Sequence, residues 1–383
     1  MPMMPPYYAL GVFHGSNSYD RWSQIKAVYD NYNGSATGEK QALEGVFVEK
    51  YNQKAHWTFT VDSDKYPNLG AEVDNIHSRN QRIIFGASLA LNPDAQYPWY
   101  VQAKNAQCLV KSIGTITVGP LTGVLDQTEV TYLDSFSGCY DSFMASILPS
   151  FVASTAHGLD GMLLKDTYGP NHVNGQIRIP TSSGFATGRK LQAGNGDTPV
   201  QAPLNEEMVG NFMPYQINND TQQQGDLSTY NLPFIPAFKY SGALDNMTIS
   251  LNATLGSPNR YSTLLVRNGM AGWAIKRTYN VIQQNILKNN SRTLLFSDAS
   301  YAGSGSYAAA LLTDQYRSWS DMSNIINQVM GLSMYGFSAT MVDTCGSLGP
   351  MDEDLCARWT QLATFMPMVR NYFNETYRDP VTG

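Results

Sequence analysis

The sequence predicts an α/β fold of the (β/α)8 barrel type, and three observations carry that expectation. Short apolar runs of strand length alternate with stretches whose apolar residues recur three and four positions apart, the spacing of a helix with one buried face. Strand, helix, strand in that order implies parallel pairing through right-handed crossovers. Finally, the run Met162 to Leu164 opens into a polar, glycine-containing loop that begins with Lys165 and Asp166. In a barrel, chemistry sits where a strand ends and its loop begins.

Taken in order, Tyr8 to Phe13 is the expected first strand. Trp22, Ile25, Tyr29 and Tyr32 mark a helix beginning near Asp20. Gly45 to Val48 and Arg82 to Ala87 are further strands, with Leu69, Val73 and Ile76 on the helix between them. Residues 88–135 form a β-rich insertion centred on Cys108 to Val124, and Tyr140 to Thr155 is a helix with Phe143, Ile147 and Phe151 on one face. Residues 166–260 lack periodicity and are rich in Gly, Asn, Gln and Pro, the signature of a long irregular excursion from a single domain spanning residues 1–383. Regular alternation then returns. Ala271 to Leu287, Met322 to Met334 and Asp352 to Phe365 are helices, the last with an acidic first turn that suits the dipole. Thr293 to Phe296 and Ser338 to Val342 are strands.

Composition narrows the function. With 383 residues, 43% of them hydrophobic, the chain can bury a large core as one barrel or two domains. A net charge of −6 offers no basic stripe for nucleic acid, and no apolar run approaches the ~18 residues that a membrane helix needs. Six Asn-x-Ser/Thr sequons, at Asn33, Asn219, Asn246, Asn252, Asn289 and Asn374, favour N-linked glycans and the secretory pathway over chance occurrence in a cytosolic protein. The five histidines have no metal-ligand spacing, and no glycine-rich stretch has the phosphate-binding pattern, so no cofactor is expected. The 23 tyrosines and 6 tryptophans suit buried packing more than a sugar-stacking surface.

The segment Leu159 to Gly175, LDGMLLKDTYGPNHVNG, resembles the nucleophile strand of glycoside hydrolase family 31, the α-glucosidase family, whose motif runs DG-apolar-W-apolar-DMNEPSNFVNG. PPYYALG, FTVDSDKYP, SYAGSGSY, YGFSATMVDTCGS and DLCARWTQLATFMPMVRN are similar to further landmarks in the family's order and extend the resemblance over nearly the whole chain. It implies a TIM-type barrel without the family's flanking β-domains and without the last barrel strand. A chain cut in this way would leave residues 1–12 and 360–383 to contact other protein chains or further domains of the same polypeptide. The resemblance also pairs Cys345 with Cys356, two buried thiols being the alternative, and leaves the pairing of Cys108 and Cys139 open.

Retaining hydrolysis needs one carboxylate to attack the anomeric carbon and a second carboxyl ~5 Å away to protonate the leaving oxygen. By resemblance the acid/base falls on Asp314, and the nucleophile falls on Lys165, whose ammonium cannot form the glycosyl ester and would repel positive charge developing on the sugar. Asp166 is the candidate replacement if the register slips by one, but on a regular strand it would face away from the pocket. The resemblance places the family's sugar-binding residues on Tyr51, Ser88, Ser306, Ala310, Leu311 and Tyr372, none of which keeps the family's residue. Each lost charged contact costs on the order of 1 to 3 kcal/mol. The reading is an inactive family 31-like glycoprotein with a structural role in an extracellular coat or filament. Alternatives are a carbohydrate-binding protein that uses another surface, and an active α-glucosidase with Asp166 as displaced nucleophile. Lys165 is expected to pair with Asp314 and, with Tyr51 and Tyr372, to plug the old pocket.

Overall fold

The computed structural model describes residues 1–16, 19–35, 38–49, 53, 57–111, 122–125, 128–154, 160–167, 253–256, 261–287, 292–313, 315–347 and 352–373. The chain divides into two compact units. The first comprises Met1–Leu89, Tyr140–Thr167 and Ala271–Gly383, and the second Ala90–Cys139 and Tyr168–Met270.

The first unit is a closed barrel of eight parallel strands: β1 (Val12–Ser16), β2 (Gly45–Val48), β3 (Arg82–Ser88), β4 (Gly161–Lys165), β5 (Leu295–Ser297), β6 (Ala309–Leu312), β7 (Thr340–Thr344) and β8 (Met368–Phe373). The expectation that the last strand is missing is therefore corrected, because β8 pairs with both β1 and β7 and closes the ring. The sequence obscured it because its inward positions run Met368, Arg370, Tyr372, apolar only at the first. Helices α1 (Trp22–Tyr32), α2 (Leu69–Ser78), α3 (Tyr140–Ser154), α4 (Met270–Val281), α5 (Trp319–Met334) and α6 (Glu353–Ala363) belong to the connections between strands. Asp352 caps α6, its carboxylate accepting from the Leu355 N–H, and Ser318 caps α5 through Asp321 N–H, so the start signals lie at the first turns.

The expected first strand, Tyr8 to Phe13, lies elsewhere. Pro5 and Pro6 favour an extended entry, Tyr7–Ala9 forms a 3-10 turn, and β1 begins only at Val12. Residues before it cross the floor of the barrel, where Met3 N–H donates to Gly305 O at 2.7 Å and Met3 and Ala9 join the interior cluster. That cluster takes Phe13, Phe47, Ile84, Leu163, Phe296, Ala309, Met341 and Met368 from the eight strands, one from each. Alternation along each strand sends every second side chain into this space, so the core is a packed layer and not a pore.

In the second unit, Ala90–Leu91, Thr122–Leu125 and Thr128–Tyr132 form a three-stranded antiparallel sheet, and Thr254–Leu255 pairs with Tyr261–Ser262. Val110, Val130, Tyr132, Ala253 and Leu255 bury one another, and a disulfide joins Cys108 to Cys139. Most of the expected excursion, residues 168–252, lies outside the described residues.

Candidate active site

Two residues beyond the apolar layer, several strands change character together. Phe47 is followed by Glu49, Leu163 by Lys165, Phe296 by Asp298, Met341 by Asp343 and Met368 by Arg370. The two-residue period that buries the first set also aims the second set toward the mouth at the strands' C-terminal ends. Arg370, 1% exposed, forks onto Asp343 with Nε 2.6 Å from Oδ1 and Nη2 3.0 Å from Oδ2, and donates through Nη1 to Glu49. Its guanidinium lies between the rings of Phe47 and Tyr372, 5.1 and 4.2 Å from their centroids. Lys165 Nζ reaches the other oxygen of Glu49 at 2.7 Å.

Gly15 makes this layer possible. A Cβ there would stand 3.0 Å from Phe47 Cβ and 3.3 Å from Arg370 Cδ, filling the space that the guanidinium needs. Gly86 does the same for the backbone of Glu49, whose carbonyl oxygen would be 2.3 Å from an added Cβ.

Burial works against every charge in the layer, and the neighbours decide the outcome. Desolvation raises the Glu49 pKa, but Arg370 and Lys165 outweigh it and hold the carboxyl below its ordinary range. Desolvation likewise disfavours the Arg370 and Lys165 cations, yet Asp343 with Glu49 raises the first above the ordinary, and Glu49 with a smaller contribution from Asp166 raises the second. The layer is a set of fixed, mutually neutralising charges, and Lys165 is held as an ammonium with no free pair for nucleophilic attack.

Asp166 departs from the expected geometry. Its backbone is left-handed, φ +58°, so strand alternation ends there, and its carboxylate turns to accept from Ser88 Oγ. Ser88 pairs in register with Lys165 on the neighbouring strand and so lies on the same face of the sheet. Asp166 therefore does not face away from the pocket as a regular strand would have it. Asp298 fixes the turn from the other side, accepting from Asp166 N–H at 2.7 Å and Thr167 Oγ1 at 2.8 Å. Desolvation raises the Asp298 pKa, partly offset by those hydrogen bonds.

The remaining expected positions scatter. Tyr372 stacks on Arg370 at the mouth, Leu311 packs against the apolar layer, and Ala310 is buried in β6. Ser306 does not join them. It follows Gly305, whose carbonyl holds Met3 on the barrel floor, so it sits at the end opposite Lys165. Tyr51 and Asp314 lie outside the described residues, and with Asp314 the expected Lys165–Asp314 pair. Cys345 and Cys356 are disulfide-bonded. Asn33 ends α1 with its side-chain amide donating to Tyr29 O at 2.8 Å and Gln81 Oε1 at 3.3 Å. The other sequons, Asn219, Asn246, Asn252, Asn289 and Asn374, lie outside the described residues.

A cavity of about 150 Å³ beside β5 and β6 is lined by Ile275, Ser297, Asp298, Leu332 and Phe337 among others, and by none of Glu49, Lys165, Asp343 or Arg370. Among the described residues, no three His, Cys, Asp or Glu side chains are placed to hold a metal ion, and no helix is long and apolar enough to cross a membrane. The sequence reading missed Arg370, Asp343 and Asp298. The available signal was the apolar-x-charged step at the ends of five of the eight strands.

A closed parallel barrel that gathers acidic and basic side chains at the C-terminal ends of its strands is the architecture of the TIM-barrel fold, whose sites are built at that end. The chain belongs to glycosyl hydrolase family 31, whose TIM-barrel domain matches residues 2–382. It is 32% identical to an uncharacterized family 31 glucosidase of Schizosaccharomyces pombe, over 97% of this chain and 40% of that protein. An alpha-glucosidase of the same yeast is 25% identical over 97% of this chain and 41% of its own length. The chain thus spans about two-fifths of the curated relatives it matches. Among solved structures, the glucosidase II alpha subunit superposes with a TM-score of 0.71 at 14% identity, over 100% of this chain and 33% of that one, a likeness of fold.

Proposed function

We propose that this barrel does not perform the family's two-carboxylate hydrolysis and that the protein acts as a structural or recognition component of a secreted assembly. One observation carries the reading. At the end of β4, where the family resemblance puts the nucleophile, Lys165 is bound to Glu49 at 2.7 Å in a charge layer that Arg370 and Asp343 complete. An ammonium at that place opposes the oxocarbenium-like transition state of glycoside cleavage. Six sequons and two disulfides support an oxidising, secretory setting for the chain.

The left-handed Asp166 favours a second reading, in which its carboxylate serves as a displaced nucleophile. One assay separates the two. The purified chain is incubated with a nitrophenyl α-glucoside alongside Asp166→Asn and Lys165→Met variants. No turnover in any of them is expected. Turnover by the wild-type chain that is lost in Asp166→Asn overturns the first reading and establishes the second.

A further inference from the structure

On the outer side of the barrel wall, three neighbouring strands place a row of small side chains under the helices. Phe296, Ala309 and Met341 fill the interior. Strand alternation therefore turns their chain neighbours Ser297, Ala310 and Thr340 outward. Register sets these three side by side, Ser297 paired with Ala310 and Ala310 with Thr340. All are buried, at 5, 7 and 1% exposed. Two residues further along β6 and β7, the outward pair Leu312 and Val342 meets Ile325 of α5 and Trp359 of α6, and large side chains close the layer there.

The small row is not closed in that way. The cavity of about 150 Å³ lies over it, lined by Ser297 and Ala310 from the strands, Ile275 from α4, Leu332 from α5 and Phe337 from the segment before β7. All of these residues belong to the first unit, so both walls of the cavity are the barrel's own. A methyl at Ala310 leaves the space, and the strand beneath cannot move up to fill it while the Ala310 N–H donates to Ala339 O at 3.0 Å in the closed sheet. Thr340 stands at the edge, next to Ala310 on the same face, and its Oγ1 is buried with no hydrogen-bond partner among the described residues. A sealed hydroxyl in that state is unfavourable until something supplies a partner. The Ser297 hydroxyl is already engaged, donating to Ala299 O at 2.7 Å.

We infer that this cavity is a binding site for a small neutral molecule with a hydrocarbon body the size of one six-membered ring and a single hydroxyl, which pairs with Thr340 Oγ1. The walls select the body, since a cavity of ~150 Å³ lined by aliphatic and aromatic side chains stays dry and accepts a guest the size of benzene. Water is a poor occupant, because it needs about two to four polar partners and the row offers one open hydroxyl. Charge is excluded as well. The apolar walls do not solvate an ion, and Asp298, at the mouth-ward end of the cavity, repels an anion while its two oxygens already accept from Asp166 N–H and Thr167 Oγ1. Lys165 and Arg370 lie on the inner side of the strands, so the inference is independent of whether the mouth turns over a glycoside.

The test is isothermal titration of the full chain with phenol, and with benzene as its counterpart without the hydroxyl. Saturable binding of one phenol is expected with a Kd at or below about 1 mM, within reach of so small a ligand. Benzene should bind about 5-fold more weakly, the scale of one net hydrogen bond. Thr340→Val keeps the shape of the side chain and should bring phenol down to the affinity of benzene. Ala310→Leu fills the space and should weaken both at least about 10-fold, with circular dichroism unchanged. A crystal of the wild type soaked in phenol gives a reading that needs no variant, with the ring expected between Ala310, Ile275 and Leu332. Absence of saturable binding by the wild type up to about 10 mM overturns the inference. So does binding that Ala310→Leu leaves intact, an advantage of phenol that survives Thr340→Val, or a soaked crystal with the ring elsewhere or nowhere.

Discussion

Lys165 and Glu49, 116 positions apart in sequence, meet at 2.7 Å inside the mouth of the barrel, each at the end of its own strand. Glu49 is almost wholly buried and also accepts from Arg370, so one carboxylate serves two cations, while Asp343 supplies the second negative charge. Those four side chains are neutral as a unit, and removing one leaves a buried charge exposed to the low dielectric of the interior.

Arg370→Met is therefore expected to be the most damaging single change at the mouth. It removes the shared partner of Glu49 and Asp343 and should lower unfolding stability by about 3 to 5 kcal/mol. Urea denaturation checks it. The triple replacement Arg370→Met/Asp343→Leu/Glu49→Gln should cost less than the sum of its parts, because no stranded charge remains.

Lys165→Met should cost less, about 1 to 3 kcal/mol, since Lys165 is only half-buried and Glu49 keeps Arg370. The loss should shrink in acid, once the Glu49 carboxyl, which its cations hold below the ordinary range, is protonated and the pair is gone in the wild type as well. A parallel cost at all pH values would show that packing, not charge, sets the effect.

His14 gives the barrel a pH dependence of its own. It is buried on β1 with Nε2 2.8 Å from Tyr19 OH, and burial together with Arg370 pushes its pKa down from 6.5 to about 4. Its folded form takes up a proton later than the unfolded chain. Stability is thus unaffected above pH 6.5 and falls as the pH drops toward 4, by on the order of 3 kcal/mol. Because Asp134 titrates with the opposite sign, the test is a comparison: His14→Phe should gain in melting temperature relative to the wild type between pH 7 and pH 4.5.

Asp134 in the second unit behaves with the opposite sign. It is buried and accepts from Gly256 N–H at 2.7 Å and Phe136 N–H at 2.9 Å, yet desolvation pushes its pKa up to about 6. Stability gained from the protonated form is full below its unfolded value of 3.8 and lost as the pH rises through 6. In urea denaturation the wild type should lose stability relative to Asp134→Asn between pH 5 and pH 7.

The disulfide between Cys345 and Cys356 closes a loop of 11 residues after β7. Replacing both cysteines by serine is expected to lower stability by about 3 kcal/mol, the loop-closure value for that length. Denaturation of the double variant under oxidising conditions measures it.

The sequence by itself determined the strands and helices whose pattern is local. Gly45 to Val48 and Arg82 onward are unbroken apolar runs, and Leu69, Val73 and Ile76 fall on one helical face, so burial on both sides or one side is written into the period. It also located Lys165 at a strand end. The tertiary structure alone decided the rest. Whether β8 existed depended on an arginine, Arg370, being tolerable in an inward strand position, and that tolerance comes from Asp343 on β7 and Glu49 after β2. Which way Asp166 points was set by a left-handed backbone that Asp298, 132 residues away, holds in place. Charge pairing and closure join residues far apart in the chain, and a periodicity read along one segment contains no information about its distant partner.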